Sequence, residues 1–399
     1  MKKLLTLLLL IFSWEIAHSQ TDSTKIQTNL DAQYNRPFIF SANLAKTTTS
    51  IGGYMEGNTN YFATNGVPDG FSMEMRRFNI FLYSNIAPRI RLLSEIEFEH
   101  GTKEINLEAA FLDVEIHPTF TFRGGIILAP IGAFNQNHDA PKWDFIDRPL
   151  VSTEIIPSTL SEIGFGIYGK YPYQKWIFTY EAYLVNGLQD GVILNDMDRT
   201  HLPSGKNPDM FSIDNNATPS YTSRIAARHR KFGEIGLSAY NGIYNTFKKE
   251  GLPIDEKRSL TMLAADFSIN LYGIQLNGEF VKGNIDIPPS LTEFYGNKQT
   301  GFYTDLIVPA FKKKKIWNWE NAQLNICLRF EKIDYNVGKF AQTNLNIGDE
   351  ITAISPGISF RPSPTTTFRF NYRYEWISDI LNNPPSNRAG FQFGLATYF

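Results

Sequence analysis

Beyond residue 50 the dominant regularity is alternation, apolar at one parity and polar at the other, as in a strand whose two faces meet different solvents. In Arg89 to His100 one parity reads Ile90, Leu92, Ser94, Ile96, Phe98; the other reads Arg89, Arg91, Leu93, Glu95, Glu97, Glu99. Thr365 to Trp376 sets Phe368, Phe370, Tyr372, Tyr374 and Trp376 against Arg369, Asn371, Arg373 and Glu375. The stretches 321–331, 176–184 and 391–399 repeat the pattern, and helical periodicity is almost absent. Such runs predict about sixteen strands: 50–61, 71–84, 89–100, 103–117, 120–128, 163–170, 175–186, 221–230, 232–244, 259–271, 274–283, 300–310, 319–334, 350–361, 365–377 and 388–399.

Many of these runs are about ten residues long, enough to cross a bilayer when tilted. The even-numbered junctions are tight (85–88, 118–119, 171–174, 231, 272–273, 362–364), and the twelfth, 311–318, is medium. The odd ones are mostly long (129–162, 187–220, 245–258, 284–299, 335–349, 378–387), with 101–102 a short exception. Short turns on one rim and long loops on the other are the mark of an antiparallel transmembrane β-barrel. Backbone groups in lipid must all be paired, so the sheet has to close. An even strand number puts both chain ends on one side. Tyr and Trp near strand ends, such as Tyr171, Trp176, Trp317, Trp319 and Trp376, suit interfacial girdles.

Composition narrows the choice. Residues 1–19 read as a removable leader: Lys2 and Lys3, an apolar run from Leu4 to Phe12, then Ala17-His18-Ser19 before Gln20. Export to periplasm, outer membrane or medium is therefore expected, with 20–49 a polar periplasmic tail or partner-binding arm and 50–399 the barrel. Later in the chain no apolar run approaches the length of a membrane helix. A net charge of −2 gives nucleic acid no electrostatic footprint. The single Cys327 excludes a disulfide framework or a Cys-based zinc site.

Some segments carry a family likeness. Phe71 to Ile80 with its Arg76-Arg77 pair, Phe122 to Gly132 with Arg123, Gly124, Gly125 and Pro130, Asp147-Arg148-Pro149, and Gly278-Glu279-Phe280 resemble the phosphate-selective porin O and P family over most of 50–399. The resemblance implies a sixteen-stranded, trimeric outer-membrane porin whose third long loop folds into the lumen and narrows it. Here that loop, 129–162, holds Lys142 and Arg148 against Asp139, Asp144, Asp147, Glu154 and Glu162, an acidic balance that argues against phosphate selectivity. The ending Gln392 to Phe399 resembles the terminal signal read by the barrel-insertion machinery, although Thr397 stands where a bulky apolar residue is usual.

Taking the parity opposite the greasy one as inward, the lumen carries Arg77, Arg89, Arg91, Arg123, Arg224, Arg228, Arg329, Arg369 and Arg373. The same rule places Glu95, Glu97, Glu99, Glu181, Asp266, Glu279, Glu331 and Glu375 there. Opposed charge rows in a wide, water-filled channel create a transverse field. Passive diffusion of small hydrophilic solutes or ions, anions such as phosphate among them, then needs no cofactor and no catalytic residue. Any single arginine has a simpler reading as a cross-strand ion pair. Lys248, Lys249, Lys257 and Arg258 form either an anion funnel or a solvated loop face.

Other signals lead nowhere on sequence grounds. Gly164 to Gly169 matches a dinucleotide fingerprint by letter, but Pro172 follows where a helix must open. His100, His117, His138, His201 and His229 lack metal-site spacing, and Asn195 to Asp198 lacks a full calcium pattern. Lys312 to Lys315 is expected in a turn. Two rivals remain open: an outer-membrane barrel hydrolase, which needs a Ser or Asp in contact with a His, and a secreted all-β carbohydrate-binding module, soluble without detergent.

Overall fold

The computed structural model describes residues 27–37, 49–191, 194–196, 199–201 and 211–399. The leader 1–19, most of 20–49, and part of the Asn195 to Asp198 cluster lie outside the described residues. Sixteen strands form the body: β1 (Thr49–Thr64), β2 (Val67–Ala87), β3 (Ile90–Glu99), β4 (Glu104–His117), β5 (Phe120–Leu128), β6 (Ser161–Tyr173), β7 (Trp176–Val185) and β8 (Ser220–His229). They continue as β9 (Gly233–Ile243), β10 (Ser259–Leu271), β11 (Ile274–Ile285), β12 (Lys298–Ile316), β13 (Trp319–Asp334), β14 (Glu350–Ser363), β15 (Thr366–Ser378) and β16 (Ser386–Tyr398). Each pairs antiparallel with its sequence neighbour, and β16 returns to β1 in the register Tyr54↔Tyr398 to Thr64↔Arg388. The sheet is a closed barrel, so no strand edge is left unpaired.

Side-chain alternation decides which face is which. Phe370, Phe391, Ile326, Leu328, Ile225, Leu237 and Phe280 are exposed on the outside, whereas Arg329, Arg369, Glu95 and Glu331 are buried inside. At the end where β1 begins and β16 finishes, turns are two or three residues long. Tyr272-Gly273 is one of these, with φ of 52° and 88°, the doubly positive geometry that matches strand twist in a two-residue hairpin. Asn65-Gly66 at the opposite rim does the same, with φ of 50° and 83°, so β1 and β2 run on as one hairpin through the stretch 62–70 between the two expected strands. Gly53 is required where the ends meet: a Cβ there would lie 2.2 Å from the Asn79 carbonyl oxygen and 2.4 Å from the Phe399 ring.

Two local expectations change. The medium connector at 311–318 is a two-residue turn, Trp317-Asn318, because β12 extends to Ile316. Lys312 to Lys315 therefore sits on a strand whose register slips three times between Pro309 and Ile316, which breaks the alternation in the sequence. The segment 28–37 is not a free tail. It enters the barrel, with Leu30, Gln33 and Arg36 buried.

Candidate functional site: the barrel lumen

A sixteen-strand barrel is too wide for its own inward side chains to fill. Here the filling is the loop between β5 and β6, anchored first by apolar contact. Ile131, Val151, Ile155, Ile156 and Leu160 from the loop form one cluster with wall residues including Leu93, Phe111, Met262, Val281, Tyr303 and Ile333. The helical turn Val151–Ile155 packs on β11, β12 and β13. Each such aliphatic side chain taken out of water contributes about 1.5–3 kcal/mol. The inward parity is thus mixed, with apolar positions where the loop docks and ionic ones elsewhere.

Polar contacts fix the loop's register. Gly132 N donates to Ser238 Oγ at 2.8 Å, Ala133 N to Glu279 Oε2 at 2.9 Å, and Leu150 N to Glu331 Oε1 at 2.7 Å. Gln136 donates to Glu181 at 2.9 Å. Asp144 accepts from Asn325 at 3.0 Å, from Arg361, and from Ser359. Asp147 pairs with Arg76 at 3.0 Å and accepts from Gln392 at 2.9 Å. Arg148 stands 3.8 Å from Glu97. These partners come from strands right round the wall, so the loop spans the barrel rather than lining one side of it.

The second internal element is the segment 28–36. Thr28 and Asp31 close a capping box around the turn Asn29–Asp31. Asn29 N donates to Glu234 on β9 at 3.0 Å, Asp31 pairs with Lys170 on β6, and Tyr34 OH donates to Asp113 on β4. Arg36 then forks to Asp139 in the loop at 2.7 and 2.9 Å and reaches Glu95 on β3 at 2.8 Å. Lys142 ties the loop to this segment through the Ala32 carbonyl at 3.1 Å. The strap therefore lies inside the barrel, held to β9, β6, β4 and β3 and to the loop. Burial works to raise the Asp139 carboxyl, and the Arg36 guanidinium with the Lys142 ammonium outweighs it, holding Asp139 well below the usual carboxylate range. At Asp147 burial is likewise outweighed, by Arg76 and Arg373, and the carboxyl is again lowered.

Most predicted lumen residues do face inward, but as partners of one another. Arg77 bonds Glu56 at 2.9 Å and Glu99 at 2.8 Å; Arg123 bonds Asp113 at 2.7 Å; Arg224 bonds Asp266 at 2.7 Å and Glu234 at 3.1 Å. Arg329 bonds Asp305 at 2.6 Å, Arg369 bonds Glu56 at 2.9 Å, and Arg373 bonds Glu331 at 2.8 Å and Glu375 at 2.7 Å. Arg91 is half-buried near Glu115 at 3.5 Å, and Arg228 is half-buried on β8, its Nε donating no hydrogen bond among the described residues. Arg89 departs from the expectation. It occupies the β2–β3 turn with φ of 65° and is exposed, because the strand begins one residue later.

The expected wide channel is accordingly narrowed at the level of the loop: Arg329 and Arg369 are each 1% exposed, and Glu97 is fully covered. A void of only about 10 Å³, room for about one water, remains between loop and wall, lined by Glu56, Arg77, Asp147, Arg148 and Arg369 among others. Sequence reasoning missed Glu56, Asn79, Glu108, Asp113, Glu234 and Asp305, all buried and inward. Asp113 shares the inward parity of Phe111, whereas Glu108 lies at the other parity and is turned inward by the register shift opposite Glu95 and Ile96.

No protein-family model matches the sequence. An uncharacterized protein of Aquifex aeolicus (strain VF5) is 34% identical over 151 residues, covering 36% of this chain and 33% of that protein, so the chain spans about a third of the length of the curated relative it matches. Among solved structures, the anion-selective porin from Comamonas acidovorans aligns with TM-score 0.56 and 10% identity over 89% of this chain and 100% of its own. OprB of Pseudomonas putida aligns with TM-score 0.53 and 9% identity, covering 89% and 94%. Outer-membrane expressed OmpT of Vibrio cholerae aligns with TM-score 0.52 and 10% identity, covering 91% and 100%. At such identities what is shared is the fold: this chain is a sixteen-stranded antiparallel barrel of the kind porins use.

Proposed function

We propose that the protein is an outer-membrane porin passing small hydrophilic solutes or ions by diffusion. The observation that carries this reading is the pairing of a closed barrel, apolar outside and ionic inside, with a loop folded across its bore. An outer belt of exposed Phe, Leu and Ile needs lipid. That disfavours a secreted soluble module. The fold likeness to porins supports the same reading, and the resemblance to the O and P family adds a trimeric assembly.

Ion preference follows from the pairing. Arginines that each meet one or two carboxylates leave little positive field, so the bore as a whole is not strongly anion-selective. The anion version rests on Arg148, whose Nε and Nη2 make no hydrogen bonds among the described residues. A guanidinium with spare donors offers a forked contact to phosphate or carboxylate. Planar-bilayer recording with unequal salt tests both levels. Discrete conductance steps support the channel, and a reversal potential on the anion side supports the finer claim. Absence of steps from folded protein, or hydrolysis of lipid or peptide by it, would overturn the reading.

A further inference from the structure

Where the loop meets the wall, three buried side chains converge from distant parts of the chain. Glu95 on β3, Glu108 on β4 and His138 in the loop each place a ligand atom within 4.8 Å of the others. His138 Nδ1 lies 2.8 Å from the Asn135 carbonyl oxygen, which fixes Nδ1 as the protonated nitrogen and turns the Nε2 lone pair toward the carboxylates. Nε2 lies 3.3 Å from Glu108 Oε2 yet makes no hydrogen bond, and His138 is only 1% exposed. A lone pair facing carboxylate oxygens in a buried site is repulsive unless a proton or a metal cation lies between them, and the lack of a hydrogen bond at Nε2 favours the metal.

Other contacts hold both carboxylates in place. Glu95 receives Arg36 at 2.8 Å on one oxygen and Asn79 at 2.7 Å on the other; Glu108 receives Asn79 at 3.3 Å and the Thr159 hydroxyl. Each carboxylate oxygen has a second acceptor site, and these donors orient both groups as an outer shell does around a metal. We infer that Glu95, Glu108 and His138 bind a divalent transition metal, with zinc the best match to one imidazole and two carboxylates, and water in the remaining position. The ion would join the loop to two wall strands, stapling the constriction in place. This site does not depend on the channel reading, since its occupancy is measured without any current.

The test uses the folded full chain in detergent, stripped with chelator and titrated with zinc, the bound metal being counted after gel filtration. One zinc per chain is expected for the wild type, with at least tenfold weaker binding for His138→Ala and Glu108→Gln. His138→Cys, which restores a zinc ligand, is expected to recover binding. Heat-dependent gel mobility confirms that each variant is a closed barrel, and any variant that fails this check is replaced by His138→Gln. A wild type that takes up no zinc, or His138→Ala and Glu108→Gln proteins that bind it as well as wild type, would overturn the assignment.

Discussion

Replacing both Arg369 and Arg373 by Ala uncovers carboxylates that the structure shows paired: Glu56 at 2.9 Å from Arg369, and Glu331 and Glu375 at 2.8 and 2.7 Å from Arg373. The wall loses two positive charges while Arg77 still holds Glu56. An ion passing roughly 6 Å from one uncovered carboxylate feels about 0.7 kcal/mol at the dielectric constant of water and about 3 kcal/mol at an effective value near 20. That corresponds to cation occupancy raised by roughly 3-fold to 100-fold per charge, with an equal and opposite effect on anions, so the cation-over-anion ratio changes by the square of that factor. Reversal potentials in a tenfold salt gradient measure the ratio directly. Arg373→Lys keeps the charge and serves as the control for altered packing. An unchanged reversal potential from a conducting, folded double variant would refute the claim that these carboxylates face the conduction path.

Charge on the outer face tests the membrane orientation: Phe370→Arg, exposed outside on β15, is expected to lower stability in lipid vesicles by about 2–4 kcal/mol in urea titrations, and no loss would contradict lipid contact there. Deleting residues 28–37 removes the strap held by Arg36, Tyr34 and Asp31, so single-channel conductance should rise; an equal conductance would mean that the strap does not obstruct the path. In the long loop after β9, hydrogen bonds from Arg258 together with the Glu256 amide depress the Asp255 carboxyl to about 2. A depressed carboxylate stabilises its loop above its ordinary pKa, and the effect fades as pH falls toward about 2, so the Asp255 carbon resonance should still report an ionised group at pH 3. Titration near the ordinary carboxylate value would show the pair to be open in solution.

The sequence by itself determined the strands, their order around the barrel and the sense of each face. Those depend on a period of two and on turn chemistry, which are local properties: Ile326, Leu328 and Phe330 announce lipid, and Arg329 and Glu331 announce the interior, without knowledge of any distant residue. Alternation failed where a local rule was broken, at the slipped register of Lys312 to Lys315, at Arg89, displaced into a turn, and at Glu108, turned inward by a register shift. What filled the lumen was decided by tertiary structure. The inner-face residues gave their direction but not their partners, because Arg369 meets Glu56 only once the sheet has closed. The strap is the sharpest case: polar residues 28–36 carry no strand pattern and read as a tail, yet Arg36 finds Glu95 and Asp139 across sequence separations of 59 and 103 residues. His138 gave no signal through spacing for the same reason, since Glu95 and Glu108 reach it from two wall strands and not from one helix. A strand's facing is set by its immediate neighbours in sequence. An enclosed charge instead takes its partner from whatever the closed barrel places beside it, and only the assembled fold specifies that.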